Sequence, residues 1–308
     1  MTSLLSKLYF DTVLGHKMIQ PFAKWYEYLR FGLIPDKVKM KREFVKNLGY
    51  EPDFEDPKTL NEKIQWLKLN DRTPLHTQCA DKYAVRAYVK ERIGEEYLVP
   101  LAFETQNVRD IIPENLPDYP FIIKTNHDSS GGIIVKDKNA VNWIQVQNTL
   151  DKNRTVNYYY RFKEWQYKNI ETRVIVEKLL QDSDGNIPMD YKMYFFNGKL
   201  KFTQVDMGRF DGERGRNLYS KKWKPLKFII KRPNGKPIQK PERYKDMIKL
   251  GEKLSKPFCF VRVDFYCFDG KIYFGELTFH PSSGHCKFNP KKYDKKLGKK
   301  LKLHVAKV

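Results

Sequence analysis

Two dipeptides constrain this chain more than any other feature. Asn197-Gly198 and Asp269-Gly270 each stand between two runs that mix apolar and polar residues, 190–196 with 199–205 and 260–266 with 271–277. Asn-Gly and Asp-Gly tolerate the left-handed backbone that a two-residue hairpin turn demands, so each arrangement predicts a pair of antiparallel strands. A third hairpin is expected from 121–124 and 132–136 around the small tip His127-Asp128-Ser129-Ser130-Gly131, and a further strand over 173–179.

Helices are expected in the intervals. Thr59 followed by Glu62 reads as a capping box that opens a helix through Ile64, Trp66 and Leu67. A second helix runs through Tyr83, Val85, Tyr88 and Val89, with others around 141–150 and 241–254. Hairpins joined by single helices predict an α+β architecture dominated by antiparallel sheet and argue against a doubly wound parallel one. Near the start, Leu14, Met18, Phe22, Trp25 and Leu29 recur at helical spacing, with Pro21 expected to bend the helix. The expectation for this amphipathic segment is a face docked on the body of the protein, with attachment to a membrane surface as the alternative.

Lys and Arg number 58 against 37 Asp and Glu, a formal charge of +21, so an anionic partner is expected: nucleic acid, nucleotide, acidic polysaccharide or anionic lipid. Aromatic residues at 14% exclude a wholly disordered chain. Cys79, Cys259, Cys267 and Cys286 are far apart and lack C-x-x-C spacing, which argues against a zinc site or a disulfide framework. No long apolar run suits a membrane span, and the expected location is cytoplasmic.

Two constellations could carry chemistry. Lys124 precedes the small hairpin tip, where the backbone N–H groups of Ser130, Gly131 and Gly132 can approach an anion closely. It matches neither common phosphate-loop pattern, and a plain turn is an equal reading. Asp264 and Glu276 lie on strands that a hairpin would pair, and two hard oxygen ligands suit Mg²⁺ that also holds phosphates. Arg262 could neutralise a phosphate there. An ordinary pair of acids on a sheet is the competing reading.

In this order (strand lysine, flexible hairpin, Val176-Glu177-Lys178-Leu179, Asp190-Tyr191-Lys192, then Arg262, Asp264 and Glu276) the chain resembles the ATP-grasp superfamily. It is most similar to the TupA-like branch associated with teichuronopeptide and capsular polysaccharide biosynthesis. The signatures of that branch are matched by Phe54-Glu55-Asp56-Pro57-Lys58-Thr59-Leu60-Asn61-Glu62-Lys63, by Ala80-Asp81-Lys82-Tyr83-Ala84-Val85-Arg86 and by Gly275-Glu276-Leu277-Thr278-Phe279-His280-Pro281.

The resemblance implies an ATP-grasp fold, with nucleotide held between two α+β units. Its expected divisions are a helical extension at 1–50, a helix-rich region at 51–120, a lid subdomain at 121–185 and a catalytic subdomain with a basic tail at 186–308. It implies ATP and Mg²⁺ as cofactors. Lys124 and Lys192 then look like phosphate ligands, Lys82 and Arg86 line the cleft, and Ser130, Gly131 and Gly132 form a phosphate-covering tip. Glu177, Lys178 and Leu179 look like the hinge that meets adenine and ribose. Asp264, Glu276 and Thr278 are the implied metal ligands, with Arg262 and Lys192 as catalytic groups. Thr278 departs from the Asn found here in many members, which weakens the expectation of a second Mg²⁺.

The activity so implied is ATP-dependent ligation of a carboxylate to an amine through an acyl phosphate. The expected partners are a uronic-acid-containing polysaccharide or precursor and an amino acid or amino sugar, without nucleic acid, and with a peripheral contact at anionic membrane as an option. A phosphotransferase, a glycosyltransferase and a non-catalytic module for anionic polymer remain the rival readings. The basic and aromatic stretch 207–240 reads as a loop that could meet glycan or simply be solvated. The same choice stands for the lysine-rich stretch from 291, with a membrane-surface contact added.

Overall fold

The computed structural model describes residues 12–128, 131–207 and 215–304. Ser130 of the expected phosphate-covering tip, and Arg209, Phe210 and Arg214 of the basic stretch, lie outside the described residues.

Helix α1 (Val13–Glu27) continues into a π-helical turn, Tyr28–Gly32, and is followed by α2 (Asp36–Leu48), α3 (Leu60–Asn70), α4 (Pro74–Ala80) and α5 (Val85–Arg92). The expected capping box opens α3. The Glu62 N–H donates to Thr59 Oγ1 at 3.1 Å, and the Thr59 N–H donates to Glu62 Oε2 at 2.8 Å.

A small sheet comes next. Strands β1 (Leu101–Thr105), β2 (Phe121–Thr125), β3 (Ile133–Val135) and β4 (Val174–Lys178) lie in the order β1-β4-β2-β3, all neighbours antiparallel. Helices α6 (Trp143–Thr155) and α7 (Tyr158–Phe162) stand between β3 and β4 in the chain. Phe121, Ile123, Val135, Val174 and Val176 pack with Val146 and Leu150 of α6 into this sheet's own core.

The larger sheet contains β5 (Asp190–Phe196), β6 (Lys199–Asp206), β7 (Arg216–Tyr219), β9 (Phe260–Phe268) and β10 (Lys271–Thr278), ordered β10-β9-β5-β6-β7. The short β8 (Ile229–Ile230) pairs with β11 (Phe288–Asn289); α8 (Tyr244–Ser255) precedes β9, and α9 (Lys292–Gly298) is the last helix among the described residues. Both hairpin dipeptides adopt the expected positive φ, 48° and 72° at Asn197-Gly198 and 48° and 68° at Asp269-Gly270.

Because side chains alternate along a strand, the two faces of this sheet build two cores. Met193, Phe195, Val263 and Phe265 meet α5 and α8. Tyr194, Phe196 and Phe260 meet α3 and α9. The helices expected within 51–120 thus pack on the larger sheet, while β1 from the same stretch joins the smaller one.

Two expectations need correction, and a third is refined. The apolar stripe of α1 is not docked: Leu14 and Phe22 are 71% and 73% exposed. Within the basic stretch, Tyr219 is buried on β7 and stacks on Trp223 at 4.2 Å, so these rings serve packing, which charge composition could not reveal. Past residue 291, Leu297 and Leu301 are buried and dock the stretch on the large sheet, while every described lysine in it is exposed, in keeping with the solvated reading.

Candidate active site

Strand register explains how the charged residues meet. Lys192 on β5 is the partner of Asp264 on β9, and Asp264 is the partner of Glu276 on β10. Three residues far apart in sequence thus form one row across three adjacent strands. Asp264 sits mid-strand, because β9 extends from Phe260 to Phe268. The register shifts between Phe274 and Glu276, around Gly275. A Cβ at Gly275 would lie 3.1 Å from the Asp264 carbonyl, so glycine permits close approach of the two strands there.

Arg262 ties the row together. Its Nε is 2.6 Å from Asp264 Oδ1, and its Nη2 is 2.6 Å from both Asp264 Oδ2 and Glu276 Oε1. Lys192 Nζ donates to Asp264 Oδ2 at 2.7 Å and also to Asp190. Thr278 Oγ1 donates to Glu276 Oε1 at 2.8 Å.

The two carboxylates differ in surroundings. Burial raises the Asp264 pKa to about 6 despite Arg262 and Lys192. Burial acts in the same direction on Glu276, yet Arg262, Lys192 and Lys82 outweigh it and hold that group at about 2. Its side chain keeps 40% exposure, against 3% for Asp264, so Glu276 is the member of the pair that faces solvent. For Lys192, burial works against the ammonium, but Asp264 and Asp190 overcome it and raise its pKa.

Glu276 opens on a cleft lined by Lys82, Asp128, Tyr167, Gly275 and Thr278. The turn before α5 supplies Lys82, pinned to the end of β2 because its N–H donates to the Asn126 carbonyl at 2.9 Å. The Lys82 Nζ donates to the Thr125 carbonyl at 3.2 Å and to the Asp128 carbonyl, and it lies 3.5 Å from Asp128 Oδ1. The cleft therefore joins the end of the small sheet to the edge of the large one. Asp128 and Tyr167 were not singled out from the sequence. Nothing local marks them, since Asp128 meets Lys82 across 46 residues of chain.

The remaining candidates form a second group on the smaller sheet. Lys124 Nζ donates to Glu177 Oε2 at 2.8 Å, and Arg86 Nη1 donates to Glu177 Oε1 at 3.2 Å. A Cβ on Gly132, whose φ is +84°, would lie 2.8 Å from both the Ile123 carbonyl and Lys124 Cγ, so the chain at Gly132 passes directly against that lysine. Gly131 also has positive φ, 94°. The Leu179 N–H is spent on the Pro120 carbonyl at 3.0 Å, while the exposed Lys178 places Nζ 5.7 Å from the Tyr119 ring.

Among the described residues, no three of His, Cys, Asp and Glu gather where they could hold a metal ion. Asp264 and Glu276 form a pair, with the Thr278 hydroxyl beside it. That donor set suits an oxygen-preferring cation that takes its other ligands from phosphate and water.

A family model described as TupA-like ATPgrasp matches residues 62–302. Among solved structures, D-alanine–D-alanine ligase from Bacillus anthracis is 17% identical, with a TM-score of 0.39, over 65% of this chain and 57% of that one. The corresponding ligase from Helicobacter pylori is 13% identical, with a TM-score of 0.44, over 79% and 65%. The ATP-grasp ligase PsnB in complex with its minimal precursor is 11% identical, with a TM-score of 0.40, over 71% and 59%. The chain thus spans less than two thirds of each of these structures, and likenesses this weak add nothing to the family match. No curated protein matches the chain.

Proposed function

This chain belongs to the TupA-like ATP-grasp family and has the ATP-grasp fold, and from that premise we propose that it is an ATP-dependent carboxylate–amine ligase. Its acceptor, on this reading, is a uronic acid of a cell-surface polysaccharide or its precursor, and its amine comes from an amino acid or amino sugar. The observation that carries the proposal is the row Lys192, Asp264 and Glu276, bound together by Arg262 and reaching a cleft whose other side carries Lys82.

In the proposed reaction a carboxylate oxygen attacks the γ-phosphorus of ATP, forming a C–O–P linkage as the bond to ADP breaks. The amine nitrogen then attacks the acyl carbon, the C–N bond forms, phosphate leaves and the nitrogen gives up a proton. Carboxylate oxygen is a poor leaving group, and phosphorylation divides that difficult displacement into two easier steps. Phosphoryl transfer asks the protein mainly for positioning and charge neutralisation, which Lys82, Lys124, Lys192 and Arg262 would supply.

Glu276 and, once it exchanges a contact with Arg262 or Lys192 for the ion, Asp264 would hold Mg²⁺, with Thr278 beside them, and the ion when bound offsets phosphate charge. Glu177, Lys178 and Leu179 would meet the adenosine. Occupancy would require Lys124 to exchange its contact with Glu177 for a phosphate oxygen. The tip at 130–132 would cover the phosphates and keep water from the acyl phosphate.

The test is product analysis after incubation with ATP, Mg²⁺, a uronic acid and an amine. Amide with ADP and phosphate is the expected result; a phosphoester with ADP, or neither ADP nor phosphate, overturns the ligase. Thermal unfolding with ATP, with and without Mg²⁺, needs no acceptor. A ligand at about 100 times its dissociation constant stabilises by roughly 2.7 kcal/mol. The wild type should show a Mg²⁺-dependent shift that Lys124→Ala and Glu276→Gln weaken, and no shift at saturating ATP would remove the nucleotide site.

A further inference from the structure

The described fold leaves the apolar stripe on α1 uncovered. Leu14, Met18, Phe22 and Trp25 recur every three or four residues, so at about 100° per residue they fall within an arc of roughly 80°. Met18 and Trp25 are each 64% exposed, and Leu29 and Leu33 extend the exposed apolar surface past the end of the helix. The helix is nevertheless held to the body near its two ends. Gly15 is buried, Asn148 of α6 donates from Nδ2 to the Thr12 carbonyl at 3.3 Å, and Tyr28 meets the ring of Tyr160 edge-on at 5.8 Å. Between these anchors the stripe stays exposed.

We propose that α1 lies on the surface of a bilayer that carries anionic lipids, with its apolar stripe in the headgroup boundary. Charge selects this occupant. The first 50 residues contain nine Lys and Arg against four Asp and Glu, and the whole chain carries +21. An anionic surface complements that excess, whereas a second copy of the chain would bring a further +21 against it. Trp25 and Tyr26 suit the same boundary, since amphipathic rings settle at the headgroup level. No helix among the described residues is long and apolar enough to cross a membrane, so α1 would lie in the interface plane. The inference is independent of the reaction proposed for the cleft.

The test is flotation of the full chain with vesicles of phosphatidylglycerol and phosphatidylcholine in equal parts, against vesicles of phosphatidylcholine alone, at low and high salt. The wild type should float with the anionic vesicles and lose most of that binding on neutral vesicles or at high salt. The charge-neutral double substitution Phe22→Ser with Trp25→Ser should reduce binding by roughly tenfold or more, because it removes apolar surface and no charge. Its thermal midpoint should match that of the wild type. In a parallel measurement, anionic vesicles should shift the tryptophan emission of the wild type to shorter wavelength, and Trp25→Phe should remove that shift. Failure of the wild type to float overturns the proposal. So does full flotation of the double variant, which would place the contact on another basic surface. A wild-type dimer that the double substitution dissociates, without flotation, would overturn it in favour of self-association.

Discussion

Arg262 and Glu276 meet diagonally across neighbouring strands, with Nη2 2.6 Å from Oε1, while the same nitrogen lies 2.6 Å from Asp264 Oδ2. One guanidinium thus serves two carboxylates, one of them almost fully buried. Truncating it leaves Asp264 without its strongest partner in a place water barely reaches. Arg262→Ala should cost about 3–5 kcal/mol, the usual loss when one member of a buried ion pair is removed. Thr278→Ala, which removes one hydroxyl contact, should cost about 1 kcal/mol. Urea denaturation of the two variants checks the order, and equal losses would contradict it.

Glu177 stands between Lys124 and Arg86 and accepts from both. Glu177→Gln would leave two cations facing a neutral amide, so the expected loss is about 3 kcal/mol. Adding Lys124→Met to that variant should cost less than Lys124→Met does alone, because the repulsion between the cations is then relieved. A double-mutant cycle on unfolding free energies measures this coupling. Additivity within experimental error would mean that the contact contributes nothing.

Histidine burial sets an acid-side limit on stability. His76 packs against Phe279 and Phe258, with ring centroids 4.6 and 5.1 Å away, and burial lowers its pKa from 6.5 to about 4. Between those values the unfolded chain binds a proton that the native state refuses. The contribution of His76 is therefore fully present above pH 6.5 and is lost as pH falls toward 4. Comparing urea midpoints near pH 7 and near pH 5, His76→Phe should lose less stability than the wild type. An unchanged slope would show that His76 is already free to protonate in the fold.

Gly298 lies where α9 crosses the start of α3. A Cβ there would come 2.2 Å from the Lys58 carbonyl oxygen and 2.6 Å from the Thr59 carbonyl carbon, both backbone atoms. Gly298→Ala should cost about 1–3 kcal/mol through forced separation of the two helices. A lowered thermal midpoint checks this, and a neutral result would mean that the contact gives way at little cost.

What could be read from the sequence was local. Asn197-Gly198, Asp269-Gly270 and the Thr59–Glu62 box each act within four residues, and the structure bears out all three. Spacing suggested that Asp264 and Glu276 share a hairpin, but not that Lys192 joins them, since that depends on the pairing of β5 with β9 across 72 residues. The family resemblance had already marked Lys192. Strand β1 gave no separate signal because only the partner strand β4 completes it. Asn61 belonged to a recognised motif, yet its task was hidden until α9 and the 286 loop packed beside it. It donates to Asp294 Oδ2 at 2.6 Å and to the Cys286 carbonyl at 2.8 Å. For α1, periodicity identified an apolar face and carried no information about what covers it.

The alternation of the large sheet has a bearing on how reliably it assembles. If β5 slipped along β9 by two residues, Met193 and Phe195 would still point to one core and Tyr194 and Phe196 to the other, because side chains repeat with period two. Apolar patterning is blind to that error. Lys192, however, would then stand opposite Arg262 or Tyr266 in place of Asp264. The Lys192–Asp264 pair therefore separates the native alignment from its nearest misfolded competitors, and residues gathered for charge chemistry also act as a proofreading mark for strand assembly.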